Sequence, residues 1–206
     1  MAHSLKTRNR YATDFLVALQ QGIQGAQATR ERMALDLSAA LAETAALIEK
    51  ACGGGSKVLF VGNGGSAGIC SHMAIDFWKN GGLEALAFND GSLLTCLGND
   101  FGFDQVFARP VQCYGKAGDV LVAISSSGRS PDILNAVAAA REKQCQVLTF
   151  SGFDSANPLR TLGDYNFYVA SHTYGIVETT HQALIHAILD ASMLARGLMT
   201  AVEGVK

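Results

Sequence analysis

The chain has 206 residues, of which 49% are hydrophobic and 17% are charged, and its formal net charge is −2. This composition is typical of a globular protein with one domain and an added segment, and it excludes a disordered chain. The balanced charge gives no electrostatic reason to expect nucleic acid or an anionic membrane as a partner, and no apolar run reaches the roughly 18–20 residues of a membrane span. The five cysteines are scattered without a CxxC pair, which favours reduced thiols in the cytoplasm.

Residues from about 5 to 50 are predicted to form two long helices, because their apolar side chains recur at helical spacing. The apolar face is wider than a helix needs to cover one sheet. It therefore predicts either an oligomer interface or packing on the chain's own domain. A glycine-rich break at 52–56 divides the chain into an N-terminal helical oligomerisation segment, 1–55, and a core domain, 56–206.

Beyond residue 56, apolar strand candidates alternate with helical patterns. The strands are predicted at 57–61, 83–88, 119–124, 146–150 and 165–169, and the helices at 67–78, 92–97, 103–114, 130–143 and 175–199. Strands that are apolar throughout and alternate with helices are typical of a parallel sheet covered on both faces. The predicted fold is α/β, a three-layer αβα sandwich with a five-stranded parallel sheet in the order 2-1-3-4-5, preceded by two N-terminal helices.

Two of the predicted strands end in polar, glycine-rich turns that precede helices. The first turn is Gly62-Asn63-Gly64-Gly65-Ser66, and the second is the serine turn, Ser-Ser-Ser-Gly-Arg-Ser at 125–130. Glycines let backbone N–H groups approach an anion, and a helix N-terminus adds partial positive charge. Because the carboxyl ends of parallel strands meet at one sheet edge, both turns are predicted to bind one phosphorylated ligand.

The first turn also matches the dinucleotide fingerprint G-x-G-x-x-A, and Asp90 could serve as the ribose-binding acid. A dinucleotide would leave the serine turn without a role, and the side chains of Asn63 and Ser66 lie where a pyrophosphate prefers small residues. We therefore favour a phosphate monoester. A P-loop is excluded, because no Gly-Lys-Ser/Thr follows the glycines.

Two helices carry titratable side chains. His72 and Asp76 are four residues apart and share a helix face, which suits a metal site, an acid–base couple or a simple helical ion pair. Glu178 and His186 lie in the apolar last helix, roughly 12 Å apart along its axis. They can serve one small site only through long side chains, an irregular helix start or the contribution of different subunits. Asn99 and Asp100 indicate either an Asx turn or a polar loop that binds sugar hydroxyls.

The first turn, the serine turn and the segment 98–103 (Gly-Asn-Asp-Phe-Gly-Phe) together resemble the three loops of sugar isomerase (SIS) domains. Their spacing and the two N-terminal helices are most similar to the phosphoheptose isomerase branch, over residues from about 15 to 198. Members of this branch convert sedoheptulose 7-phosphate to D-glycero-D-manno-heptose 7-phosphate. The resemblance implies a flavodoxin-like SIS fold and a homotetramer with active sites shared between subunits.

The resemblance also implies roles for single residues. His72 falls where the family has a metal ligand, and Asp76 falls where it has a residue that is both catalytic base and metal ligand. Glu178 falls where the family has a glutamine that contacts substrate and metal. His186 falls where it has a histidine that is both metal ligand and general acid, and the implied ion is Zn²⁺. The residues expected to contact the sugar phosphate, with Ser66 added from the first turn, are Asn63, Gly64, Gly65, Ser66, Asn99, Asp100, Ser125, Ser126, Ser127, Ser130 and Glu178.

Two positions depart from the family pattern. Asp76 replaces a glutamate, which retracts the carboxylate by about 1.5 Å, and Glu178 replaces a glutamine, which adds a negative charge.

The expected function is an aldose–ketose isomerase that acts through a cis-enediol, with Asp76 as base and His186 as acid. Two alternatives stay open: a non-catalytic SIS scaffold of the type that binds the replication initiator, and an isomerase of another sugar phosphate.

Overall fold

In the computed structural model of this chain, residues 2–201 are described, with side chains from residue 4 onward. Within that range the helices and strands follow one another as α1 (Ala2–Gln24), β1 (Gln27–Arg30), β2 (Met33–Leu35), α2 (Leu37–Gly53), β3 (Val58–Gly62), α3 (Gly65–Lys79), β4 (Ala85–Ala87), α4 (Gly91–Phe101), α5 (Ala108–Tyr114), β5 (Val120–Ser125), α6 (Pro131–Glu142), β6 (Gln146–Gly152), β7 (Tyr165–Val169) and α7 (Tyr174–Ala195). No helix in this part of the chain combines the length and apolarity that a membrane span requires.

The strands form one sheet in the order β2-β1-β7-β6-β5-β3-β4. The five strands β3 to β7 are parallel, and their spatial order, β4-β3-β5-β6-β7, confirms the predicted 2-1-3-4-5 arrangement. The sheet has two more strands than predicted, because β1 and β2 form an antiparallel hairpin at the β7 edge.

The two long helices predicted over residues from about 5 to 50 are present as α1 and α2, but the hairpin between them was not predicted. Its two-residue turn consists of Glu31 and Arg32, both with positive φ (50° and 70°). Asparagine and glycine usually mark a turn of this kind, whereas glutamate and arginine do not. Met33 and Leu35 alternate as a strand requires, but a run of three residues is too short to give a clear strand signal.

Helices cover both faces of the sheet, which confirms the three-layer sandwich. Phe60 of β3 packs with buried side chains of α2, α3 and α7. Its neighbours Leu59 and Val61 point to the opposite face and pack with α5, α6 and partly buried side chains of α4. Because side chains alternate along a strand, a strand covered on both faces must be apolar at every position.

A buried ion pair precedes two of the central strands. Lys57 Nζ lies 2.6 Å from Asp119 Oδ2, and the backbone N–H groups of Lys57 and Lys116 also donate to this carboxylate. The predicted strands therefore begin one residue too early, at the ion pair instead of after it. Removing one partner would leave a buried, unpaired charge, a change that costs about 3–5 kcal/mol in other proteins.

Three predicted helices have different bounds. The segment predicted at 103–114 is a short 3₁₀ turn, Phe103–Gln105, followed by α5. The last helix ends at Ala195, four residues before the predicted end. Helix α4 extends to Phe101 and includes Asn99 and Asp100, so the predicted turn at these two residues is wrong.

Candidate functional site

A cleft of about 260 Å³ opens where β3 and β5 end side by side. We call it the phosphate cleft. It brings together the residues predicted from both polar turns, and the first residues of α7 complete it. The lining residues are Asn63, Gly64, Gly65, Ser66, Ile124, Ser125, Ser126, Ser127, Ser130, Tyr174 and Glu178.

The serine turn presents hydroxyls to this cleft. Ser125 Oγ lies 3.2 Å from Ser130 Oγ and accepts a hydrogen bond from the Gly128 N–H. Ser126 Oγ is buried and has no hydrogen-bond partner among the described residues. A buried hydroxyl without a partner is costly, so this atom fits a site whose partner is a bound oxyanion. Ser130 is the N-cap of α6, and its side chain makes no capping hydrogen bond to the helix.

Asn157 packs against the serine turn. The sequence did not reveal this contact. The side-chain N–H groups of Asn157 donate to the carbonyl oxygens of Asp154 and Gly152, and its Oδ1 accepts from the Arg160 N–H. Gly128 has φ +62°, and a Cβ at this position would collide with the Asn157 side chain. The only available signal was the Asn-Pro pair, which marks a turn but not its contact with a distant loop.

A second missed residue holds the amide of the first turn. Asn63 Nδ2 donates to Asp132 Oδ2 at 2.8 Å, which leaves the carbonyl end of the amide free for the cleft. Burial raises the pKa of the Asp132 carboxyl, and the Asn63 hydrogen bond acts in the opposite direction. An acidic residue in the first turn of a helix is common in any protein, so the sequence did not distinguish Asp132.

A compact titratable cluster lies on the neighbouring faces of α3 and α7. Asp76 Oδ2 is 3.3 Å from His72 Nε2 and 3.9 Å from His186 Nδ1, and the two imidazole rings are 5.3 Å apart. The other oxygen of this carboxylate accepts a hydrogen bond of 3.1 Å from Asn80 Nδ2. The predicted i,i+4 pair on α3 therefore faces the predicted histidine of α7.

This cluster has the donor set of a divalent metal site. Ligand atoms of His72, Asp76 and His186 all lie within 4.8 Å of one another. Two imidazole nitrogens and one carboxylate oxygen suit Zn²⁺, and three protein ligands leave a coordination position open, as catalytic zinc sites require. Glu178, the fourth ligand predicted from the resemblance, does not belong to this group. Its carboxylate lies in the phosphate cleft against Gly65.

The cleft and the cluster lie along the same pair of helices. Helices α3 and α7 pack side by side in the same direction, with Gly65 opposite Glu178 near their N-termini and His72 opposite His186 further along. His72 follows Gly65 by seven residues, or about 10 Å of helix. An extended seven-carbon chain with a terminal phosphate has a similar length, about 10 Å, from C–C bonds of about 1.5 Å. Glu178 and His186 therefore lie at different levels along the two helices.

Two predicted site residues lie outside the cleft. Asn99 and Asp100 are exposed on the last turn of α4, where Asn99 Nδ2 donates to Asp100 Oδ1 at 2.8 Å. Neither lines the phosphate cleft of the single chain. His181 is also separate from the site, because it is fully buried and its Nε2 contacts the Ser151 carbonyl oxygen at 3.0 Å.

Comparison with known proteins gives concordant matches. The model of the SIS domain family matches residues 23–152. A phosphoheptose isomerase of Bradyrhizobium sp. (strain BTAi1) is 41% identical over 187 residues, which cover 87% of this chain and 93% of that protein. The structure of phosphoheptose isomerase GmhA from Neisseria gonorrhoeae superposes with a TM-score of 0.78 at 32% identity, over 90% of this chain and 99% of that one. A phosphoheptose isomerase from Francisella tularensis gives a TM-score of 0.79 at 28% identity, over 93% and 98%.

Proposed function

Because this chain belongs to the SIS domain family, in its phosphoheptose isomerase branch, we propose that it converts sedoheptulose 7-phosphate to D-glycero-D-manno-heptose 7-phosphate. One observation carries the proposal. A phosphate cleft and a His–Asp–His cluster lie along the same pair of helices, about one phosphosugar length apart.

In the proposed reaction the serine turn binds the phosphate, and the sugar chain extends along α3 and α7. The Asp76 carboxylate takes the proton from C1 of the ketose while His186 donates a proton to the carbonyl oxygen on C2. The resulting cis-enediol collapses to the aldose when a proton returns to C2 and the hydroxyl proton on O1 is lost. The separation of 3.9 Å between His186 Nδ1 and Asp76 Oδ2 lets both groups reach adjacent carbons of one substrate.

We propose Zn²⁺ as the cofactor, held by His72, Asp76 and His186. When bound, such an ion polarises the substrate oxygens and so favours loss of the C1 proton. Glu178 is proposed as a substrate contact, because its carboxylate lies in the cleft and not with the three clustered ligands. An acceptor there suits the hydroxyls of the sugar chain.

We further propose a cytoplasmic homotetramer with sites completed between subunits, in which residues 1–55 supply contacts. Helix α1 exposes Leu5, Tyr11, Leu16 and Val17, which supports burial against another copy. The His72 side chain is 50% exposed in the single chain, so the cluster has an open side that a second subunit would close. Asn99 and Asp100 are expected to contact the sugar only in that assembly. The free cysteines of the described residues agree with a reducing compartment.

The direct test is to incubate the purified chain with sedoheptulose 7-phosphate and follow aldose formation, together with metal analysis. Asp76→Asn should abolish turnover and leave sugar-phosphate binding intact, whereas Glu142→Gln, at an exposed position at the end of α6, should alter neither. Binding without turnover by the metal-loaded wild-type chain would indicate the scaffold alternative. Turnover of a different five- to seven-carbon ketose phosphate would correct the substrate. Full activity of Asp76→Asn would remove this residue from the mechanism.

A further inference from the structure

One aromatic side chain of the phosphate cleft belongs to neither polar turn. Tyr174, the first residue of α7, lines the cleft and is 62% exposed. Its ring packs edge-on against Phe153, with centroids 4.9 Å apart, and Phe153 stacks on His172 at 5.9 Å. These three residues, which we call the aromatic wall, fix the position of a tyrosine ring that would otherwise be free on the surface.

Phe153 adopts a backbone conformation that is unfavourable for a residue with a side chain. Its φ is +56°, in the left-handed region. Its N–H donates to the Ser171 carbonyl oxygen at 3.0 Å, and its own carbonyl oxygen accepts from the Tyr168 hydroxyl at 2.8 Å. The surrounding structure therefore imposes this conformation. Strained residues that are held in this way cluster at ligand sites.

An ion pair links the aromatic wall to the serine turn. Arg129 Nη2 lies 2.7 Å from Asp154 Oδ2, and Asp154 directly follows Phe153. The guanidinium is thus engaged outside the cleft, and no lysine or arginine is among the residues that line it. A phosphate in this cleft must rely on neutral donors, namely hydroxyls and backbone N–H groups. The phenol of Tyr174 adds one donor to that set.

We propose that Tyr174 is a substrate-binding residue whose phenol donates a hydrogen bond to the phosphate group, and that Phe153 is the positioning residue that holds its ring at the cleft. The inference rests on the proposed function for the sugar, but the recognised chemistry is a phosphate monoester.

Calorimetric titration of the full chain with inorganic phosphate and with sedoheptulose 7-phosphate tests the role of Tyr174. Tyr174→Phe should weaken binding of both ligands about tenfold, because it removes one donor to a charged group, and Tyr174→Ala should weaken it at least as much. In turnover, Tyr174→Phe should raise KM with little change in kcat, since the phosphate end is remote from the reacting carbons. Tyr114→Phe is the matched control, as Tyr114 is 52% exposed and stacks on Phe88 away from the cleft.

Phe153→Gly tests the positioning role, because glycine accepts the positive φ while the ring contact is lost. We expect about threefold weaker phosphate binding in the wild-type background and no further loss in Tyr174→Ala. Wild-type affinity in Tyr174→Phe, or additive losses in the double variant, would overturn the inference. Weaker phosphate binding in Tyr174→Phe with an inactive wild-type chain would instead reject the proposed function and leave this inference standing.

Discussion

Glu178 and Gly65 lie in contact across the N-terminal ends of α7 and α3, and the Glu178 carboxylate occupies the space that a Cβ on Gly65 would need. Gly65 has no positive φ, so its missing side chain serves this close approach and not an unusual backbone conformation. The contact keeps a negative charge beside the N-terminus of α3, where the helix dipole stabilises it. In the proposed function this charge would direct the phosphate to the serine turn and leave the sugar hydroxyls facing the carboxylate.

Gly65→Ala should disable the enzyme without unfolding it. The added methyl group displaces the Glu178 carboxylate, and we expect kcat/KM for the heptose phosphate to fall about tenfold or more. Gly68→Ala on the same helix is the matched control, because a Cβ there meets nothing within 4 Å. Steady-state kinetics and thermal unfolding of both variants measure the effect. Equal kinetics in the two variants would show that the position of Glu178 is unimportant.

Ser126→Ala should raise the stability of the ligand-free chain and weaken phosphate binding. The change removes a buried hydroxyl that has no partner among the described residues, a gain of about 1 kcal/mol in the free energy of unfolding, but it also removes a donor to phosphate. Ser192→Ala removes a similarly buried and unpartnered hydroxyl in α7, away from the cleft. Urea unfolding and phosphate titration should show a stability gain in both variants and weaker binding only in Ser126→Ala.

Asn80→Ala should loosen the Asp76 carboxylate. Asn80 Nδ2 holds Asp76 Oδ1 and leaves Oδ2 directed at both histidines. We expect a threefold to tenfold loss in kcat and in Zn²⁺ affinity, with KM for the sugar phosphate unchanged. Asn135→Ala is the control, since Asn135 is a half-buried helical asparagine, remote from the cluster, whose side chain donates only to Asp104. A raised KM with normal kcat would place Asn80 in substrate binding instead.

The sequence predicted the elements whose signals are local. Five apolar runs predicted the parallel strands in their correct order. The glycines and serines at the ends of β3 and β5 predicted most of the residues that line the phosphate cleft. The i,i+4 spacing of His72 and Asp76 placed both on one face, and the structure brings that face to His186. These successes rest on periodicity and turn chemistry, which depend only on neighbours along the chain.

The features that the sequence did not reveal depend on distant contacts. The β1–β2 hairpin is stabilised by pairing with β7, 135 to 141 residues later, and its turn lacks the usual residues. Asp132 and Tyr174 acquire roles only because α6 and α7 begin beside the cleft. Glu178, a predicted metal ligand, lies against Gly65 and not with the three clustered side chains. The spacing of residues along the chain does not predict that contact.

His181 should make the stability of the chain depend on pH. Complete burial lowers its pKa from 6.5 to about 4, and the contact with the Ser151 carbonyl oxygen opposes this only in part. Because the folded state binds the proton less readily than the unfolded state, this contribution to stability is complete above about pH 6.5. It is lost as the pH falls toward 4 and totals about 3 kcal/mol. Urea unfolding between pH 7 and pH 4 measures this slope.

The variant His181→Gln isolates the contribution of this residue, since an amide can still donate to the Ser151 carbonyl oxygen but does not titrate. It should be less stable than the wild-type chain at pH 7, because its shape fits the core less well, and its stability should fall less steeply toward pH 4. His172→Gln, at an exposed position of the aromatic wall, should keep the wild-type slope. If His181→Gln follows the wild-type slope throughout, other buried groups cause the acid sensitivity and His181 is already protonated in the folded chain.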